Sequence, residues 1–307
     1  MTVAAVVTSF RPDAGLLRAV QAVGAQVDHV FVVDDGSGQE SLSILAEAEA
    51  TGATVIRLPG NLGIAEALNR GISAALEAGA DAVLTLDQDS LVPDGFVDGL
   101  RAAADASSAS VDVRGPVVPE YFAGVRQVRG RDRDGALLAH GAIQSGMLLD
   151  RDLIEDVGLM SAQLFIDLVD TEFELRCLAA GRPVIAAEGL RLAHSLGVQY
   201  RRRGRVPIPG VPRVMTLSSP FRYYYRARNR VLVHRAYWRR VPARMLRDAL
   251  VEGVYFAVVI SLARPRSSML RLVRAGLRAG WRGEGGRIPA EWEGLAAGTS
   301  WAADRVD

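Results

Sequence analysis

Short apolar runs alternate with amphipathic stretches through the first ninety residues. Val3 to Thr8 is apolar almost throughout and reads as a buried strand. Ser9-Phe10-Arg11-Pro12-Asp13 then turns the chain, and Pro12 and Asp13 suit a helix start. Leu16, Leu17, Val20 and Val23 follow on one helical face. His29 to Val33, Val55 to Leu58 and Ala82 to Leu86 repeat the strand pattern, and Asn61 to Gly71 is a loop running into a helix. Repeated strand-helix alternation specifies an α/β protein with a parallel, doubly wound sheet and right-handed crossovers.

Beyond Ser90 the pattern loosens. Val92 to Ala104 predicts a helix, Asp105 to Asp134 an irregular segment rich in Arg, Asp and Gly, and Ala142 to Leu149 a strand carrying Gln144-Ser145-Gly146-Met147. After Val198 the composition shifts. Arg201, Arg202, Arg203 and Arg205 crowd together, and Pro207 to Pro212 reads as a linker. A long helical region opens at Phe221, and from Ala243 to Gly280 apolar residues and Arg recur at helical spacing. The apolar run Ala257 to Ala263, bracketed by Glu252 and Arg264, is too short to span a bilayer. Two compatible readings stand: a helical cap with Arg on its solvated face, or a basic amphipathic surface lying on an anionic membrane. The expected organisation is residues 1–205 as the catalytic domain and 206–307 as a C-terminal helical region.

The 307 residues, 49% hydrophobic and 23% charged, are ordinary for a globular protein with a sizeable core. A net charge of +1 gives no general attraction for nucleic acid. All 36 basic residues are Arg, which excludes a Walker lysine or a Schiff base. The single cysteine, Cys177, excludes an internal disulfide and reads as a small helical hydrophobe. With no basic leader before the first strand, a cytoplasmic location is expected, at most peripheral to a membrane.

Candidate chemistry lies at strand ends. No Gly-x-Gly-x-x-Gly follows the first strand and no Gly-x-x-x-x-Gly-Lys occurs, which argues against a dinucleotide enzyme or a P-loop NTPase. Instead Asp34 and Asp87 end the second and fourth strands and face the crevice where such sheets bind ligands. Asp87 and Asp89, one residue apart, can hold a hard divalent cation and through it a phosphate, although Asp also satisfies turns. Asp167, Asp170, Glu172 and Glu174 crowd a loop-to-helix junction, where capping and the helix dipole account for part of the acidity. His194, after a short apolar run, is either a third metal ligand or a structural histidine.

Taken together, Val32-Val33-Asp34-Asp35-Gly36-Ser37, Asn61-Leu62-Gly63-x-Ala65, Asp87-x-Asp89, the acidic helix start at Asp170, and His194 resemble a glycosyltransferase of family 2 with a GT-A fold. Asp87-Gln88-Asp89-Ser90, Phe165-Ile166-Asp167-x-Val169-Asp170-x-Glu172 and the Tyr224 to Asn229 segment are most similar to rhamnosyltransferases of O-antigen and cell-wall polysaccharide assembly, which use dTDP-L-rhamnose. The resemblance implies a nucleotide-sugar site at Thr8, Asp34, Asn61, Gly63 and Asp87. It implies Mg²⁺ or Mn²⁺ on Asp89 and His194, Asp170 as the base of an inverting transfer, and Asp167, Glu172 and Arg176 on the acceptor side. Val169 stands where many members carry an acid, so Asp167 is an alternative to Asp170. The implied partners are the donor, a glycan or polyprenyl-linked acceptor, and an anionic membrane surface or a second copy of the chain. A transferase for another UDP- or dTDP-sugar, a nucleotidyltransferase and a silent GT-A scaffold are the competing readings.

Overall fold

A computed structural model describes residues 1–108, 114–132, 135–194, 197–202 and 212–306. The chain divides into two compact units, Met1–Ala162 with Val169–Ser195, and Gln163–Leu168 with Leu196–Asp307. They differ sharply in charge. The first carries 27 Asp and Glu against 14 Arg, the second 22 Arg against 8 acids.

The first unit begins β1 (Val3–Ser9), α1 (Ala14–Gly24), β2 (His29–Asp34), α2 (Leu42–Ala50), β3 (Thr54–Arg57), α3 (Ile64–Glu77) and β4 (Ala82–Asp87). It continues with β5 (Ser90–Leu91), α4 (Phe96–Ser108), β6 (Val117–Phe122), β7 (Val125–Arg126), β8 (Val128–Arg131) and β9 (Leu137–Ala139). β10 (Met147–Asp150), α5 (Arg151–Val157), α6 (Val169–Ala179) and β11 (Ile185–His194) complete it. Its sheet runs β3-β2-β1-β4-β10-β6-β11-β9-β8. β1 to β4 are mutually parallel, and β10 enters antiparallel between β4 and β6.

Every residue of β1 is buried, which explains its unbroken apolar run. Asp13 caps α1 by accepting from the Gly15 N–H at 2.7 Å, and Leu16, Val20 and Val23 turn inward. They share a core with Val3, Ala5 and Val7 and with Phe96 and Leu100 of α4, each fully buried Leu or Val contributing about 1.5–3 kcal/mol. α3 packs against β1 and β2.

Two expectations need correction here. The segment 105–134 contains β6, a central strand paired with β11. Pro119 hid it, because proline is rare in central strands; it is tolerated because β10 pairs with β6 only at Val117. The strand expected from Ala142 starts only at Met147. Residues 141–146 instead turn, with Gly141 and Gly146 at positive φ, and deliver Gln144 and Ser145 to the ends of β4 and β5.

The second unit holds β12 (Gln199–Arg202), β13 (Val214–Thr216), α7 (Arg222–Tyr237), α8 (Pro242–Leu262), β14 (Ala263–Arg264), α9 (Arg266–Arg282), α10 (Ala290–Ala297), β15 (Ser300–Trp301) and β16 (Ala303–Val306). Most of the expected linker, 207–211, with Arg203 and Arg205, lies outside the described residues. Tyr223, Ala227, Phe256, Val259, Met269 and Val273 form its main core. The expectation of Arg on the solvated face holds for Arg235 of α7 but not in full for its other arginines. Arg226 and Arg230 pair with the buried Glu252 of α8, and Arg228 is 1% exposed. No described helix is long and apolar enough to cross a membrane.

Gln163–Leu168, expected with the catalytic domain, belongs to the second unit because α7 holds its backbone. Asn229 Nδ2 donates to the carbonyls of Leu164, Ile166 and Asp167 at 2.8–2.9 Å. Arg228 donates to Leu164 at 2.9 Å, Gln163 at 3.2 Å and Gly286 at 2.6 Å. Burial holds the Arg228 guanidinium below its ordinary pKa, and it lies 4.9 Å from the Tyr225 ring centroid. Phe165, Asp167 and Leu168 sit at φ 63°, 66° and 62°, left-handed backbone costing on the order of 1–3 kcal/mol per residue. The carbonyl cage and the 4.9 Å stack of Phe165 on Tyr225 offset that cost.

Candidate active site

The site lies at the carboxyl ends of β1, β2 and β4 and the end of β11. Parallel pairing sets Thr8 opposite Asp87 and Ser9 opposite Asp34, so both acids arrive at one sheet edge. Thr8 Oγ1 lies 3.4 Å from the Leu86 carbonyl that accepts from it.

Asp34 is buried, and its carboxylate accepts from the Ser37 N–H at 3.0 Å and, through a short bond, from the Ser37 hydroxyl. Asp35, not singled out from the sequence, accepts from the N–H groups of Leu62 (2.6 Å) and Gly63 (2.9 Å) at the start of α3. It thereby fixes the Asn61-Leu62-Gly63 turn and supplies negative charge to a helix N-terminus. Two glycines are obligatory. Gly36 has φ 72°, and an added Cβ would fall 2.4 Å from the Gly60 carbonyl carbon; Gly63, at φ 93°, is the N-cap of α3.

Asp87, Asp89 and His194 each offer a ligand atom, all within 4.8 Å of one another. The Asp89 side chain is 44% exposed, and its Oδ1 lies 3.4 Å from His194 Nδ1. His194 arrives through the β5–β11 ladder, in which it pairs with Ser90. Beneath the cluster runs a buried hydroxyl chain. Ser145 Oγ accepts from the Asp87 N–H at 3.0 Å and contacts Ser90 Oγ at 2.7 Å, and Ser90 Oγ lies 3.0 Å from His194 Nδ1. Phe122 packs on the imidazole with centroids 4.8 Å apart, and Gln144 Nε2 donates to Asp87 Oδ1 at 2.5 Å. Gln88 Oε1 accepts from the Phe10 N–H at 2.8 Å, tying the loop after β1 to the acidic turn. Two carboxylates and an imidazole, oriented by hydroxyls behind them, fit a hard divalent cation.

Three buried polar atoms at this edge have no hydrogen-bond partner: Ser9 Oγ, Asn61 Oδ1 and Gln144 Oε1. These atoms are open to donors from a ligand or from water.

The acidic junction is less uniform than its sequence. Asp170 stands in the first turn of α6 and accepts from the Thr171 N–H at 2.7 Å. Glu172 pairs with Arg176 at 2.9 Å, and Arg176 also donates to the carbonyls of Val157 and Leu159 at 2.7 and 2.8 Å, so it clasps the end of α5. Glu174 is buried and accepts from the N–H groups of Gly141 and Ala142. Asp167, in the second unit, holds a two-point ion pair with Arg222 at 2.8 and 3.1 Å, which raises the Arg222 pKa against the opposing effect of burial. Cys177 is buried in α6, and burial pushes its thiol up to about 12, in keeping with an inert hydrophobe.

Sequence reasoning missed Gln144, Ser145 and Asp35. The available signals were the Gln-Ser-Gly turn preceding an apolar strand and a second acid beside Asp34.

The mixed sheet, parallel from β3 through β4 with acids at its strand ends, has the GT-A glycosyltransferase fold, and the chain belongs to glycosyl transferase family 2, whose model matches residues 5–158. It is 28% identical over 282 residues to the dTDP-rhamnosyl transferase RfbF of Shigella flexneri, covering 87% of this chain and 91% of that one. Among solved structures, the fold is similar to GalNAc-T7 crystallised with UDP, GalNAc and Mn²⁺ (TM-score 0.51, 18% identity, 63% of this chain and 44% of that one). It is also similar to residues 1–349 of Staphylococcus aureus TarS in complex with UDP-GlcNAc (TM-score 0.51, 14% identity, 76% and 66%). The chain thus spans less than two thirds of either solved chain.

Proposed function

We propose that this chain is an inverting, divalent-cation-dependent rhamnosyltransferase. In this reading it moves L-rhamnose from dTDP-L-rhamnose to a hydroxyl of a glycan or polyprenyl-linked acceptor in cell-surface polysaccharide synthesis. One observation carries the donor: the likeness to a dTDP-rhamnosyl transferase extends over 87% of the chain, well beyond the family core.

Asp89 and His194 are the residues that would hold Mg²⁺ or Mn²⁺, with Asp87 beside them. The cation, when bound, offsets the charge of a departing diphosphate. Thr8, Asp34, Asn61, Gly63 and Asp87 line the donor side. A nucleoside's N–H and O–H donors would satisfy the orphaned Asn61 Oδ1 and Gln144 Oε1, whose unmet bonds otherwise cost about 1–3 kcal/mol each. Asp170 takes the proton of the attacking hydroxyl. A single displacement needs one base and no covalent sugar intermediate, and it inverts the anomeric carbon. Glu172, steadied by Arg176, stands on the acceptor side. The Asp167 carboxylate, engaged by Arg222, is a support for the preceding loop.

A thermal-shift panel of nucleotide-sugars with and without Mn²⁺ tests this. dTDP-L-rhamnose with Mn²⁺ should raise the Tm most, since a ligand at 100 times its Kd adds about 2.7 kcal/mol of stability. A shift with UDP-GlcNAc and none with dTDP-L-rhamnose would overturn the donor. No shift with any nucleotide-sugar would overturn the activity and favour a silent scaffold.

A further inference from the structure

α8 turns two acids inward, beside its buried Met245, Phe256 and Val259, and leaves apolar side chains outward. Its buried face carries Asp248 and Glu252, which pair with Arg230, and Glu252 also with Arg226. Its outward face is apolar: Leu246, Leu250, Val251 and Val254 are 53%, 64%, 63% and 60% exposed, and Ala243, Ala249 and Ala257 are exposed with them. These positions recur at the spacing of one helical face over about 21 Å, at 1.5 Å per residue. The charge on this face is Arg247, beside Asp248 at 2.8 Å. Exposed basic residues stand at both ends, Arg239 and Arg240 with Trp238 before the helix, and Arg264 and Arg266 after it. α9, which packs on α8, exposes Arg271, Arg274 and Arg278 with Trp281.

We propose that the outer face of α8 docks on an anionic lipid surface, with Leu246, Leu250, Val251 and Val254 entering the acyl boundary and the flanking arginines meeting headgroup phosphates. A contiguous apolar face open to water marks an interaction surface. An apolar helix face with arginine and tryptophan at its margins matches the chemistry of a helix lying in the membrane interface. Charge decides the occupant. The unit carrying α8 has 22 Arg against 8 acids, so two copies joined face to face through α8 would bring like charge together, whereas anionic headgroups complement it. The inward-turned acids fit the same account: they neutralise Arg226 and Arg230 inside the fold and leave the outward field positive. This inference is independent of the donor sugar.

The test is co-sedimentation of the full chain with vesicles of neutral phosphatidylcholine, and with vesicles of the same lipid mixed with phosphatidylglycerol, at low and high salt. Binding should favour the anionic vesicles by tenfold or more and weaken as salt rises, each headgroup-facing Arg giving roughly fivefold. Leu250→Glu with Val254→Glu should lose about tenfold in vesicle affinity. Both positions are exposed, so the melting temperature should hold. Arg239→Gln with Arg240→Gln should lose less and flatten the salt dependence. Undiminished binding by the Leu250/Val254 variant, or equal binding to neutral vesicles, would overturn the proposal. So would a wild-type dimer by light scattering that the same variant converts to a monomer, because the face would then be covered by a second copy.

Discussion

Asp89 lies just beyond the apolar strand β4 and Asp167 just beyond the apolar pair Phe165-Ile166, yet the two regions that hold them use charge in opposite ways. At the sheet edge of the first unit, Asp89 is exposed and lies near two other ligand atoms, and polar atoms around it are left without partners. In the second unit, Asp167 is clamped by Arg222, and the neighbouring arginines of α7 are buried against carbonyls and carboxylates. The acids and acceptors of the first region are open to a ligand, whereas Asp167, Arg228 and Asn229 are engaged in holding the 163–168 backbone. Substitutions in the first region should therefore cost function and spare stability, with the reverse in the second.

The largest expected effect is at Asp170. Asp170→Asn keeps the shape and removes the proton acceptor, so turnover should fall by roughly 10²–10⁴ with donor affinity nearly intact. Asp167→Asn should leave turnover at saturation within a few-fold but lower the Tm. Steady-state rates and donor titrations of both variants check this, and the opposite pattern would move the base to Asp167.

Next is the carbonyl cage. Arg228→Ala strips partners from Gln163, Leu164 and Gly286 and leaves a cavity, so unfolding free energy should drop by about 3–5 kcal/mol. Denaturant titration measures it. A loss under about 1 kcal/mol would mean the left-handed loop holds itself.

Smaller still is Ser145→Ala. Removing the hydroxyl that accepts from the Asp87 N–H and meets Ser90 should weaken Mn²⁺-dependent donor binding about 10–100-fold without moving the Tm by more than a few degrees. The smallest effect is at Cys177. With its thiol pushed up to about 12, it should resist a thiol reagent at pH 8 until the chain unfolds.

Much of this contrast was legible in the sequence, and its limits have physical causes. The unbroken apolar runs of β1, β2 and β4 revealed a doubly buried parallel sheet, and the acids at their ends followed from that. β6 was hidden by Pro119, whose missing N–H matters little where the neighbouring strand pairs at one residue. The 141–146 turn was masked by apolar residues that continue the strand pattern into it. α7 misled because buried and solvated arginines look the same in a sequence; only Glu252 and the carbonyls of 163–167 tell them apart. α8 misled for the complementary reason, since its exposed face is apolar while Glu252 and Asp248 turn inward beside Met245, Phe256 and Val259.

Calorimetry of dTDP binding in the presence of Mn²⁺ tests the central claim, that the Asp87, Asp89 and His194 edge is a cation-dependent donor site separate from the forces that hold the fold. Wild type should bind dTDP only with the divalent ion, and Asp89→Ala should abolish that binding while melting at the wild-type temperature. Unchanged affinity for dTDP with Mn²⁺ in Asp89→Ala, or a collapse of its Tm, would contradict the account.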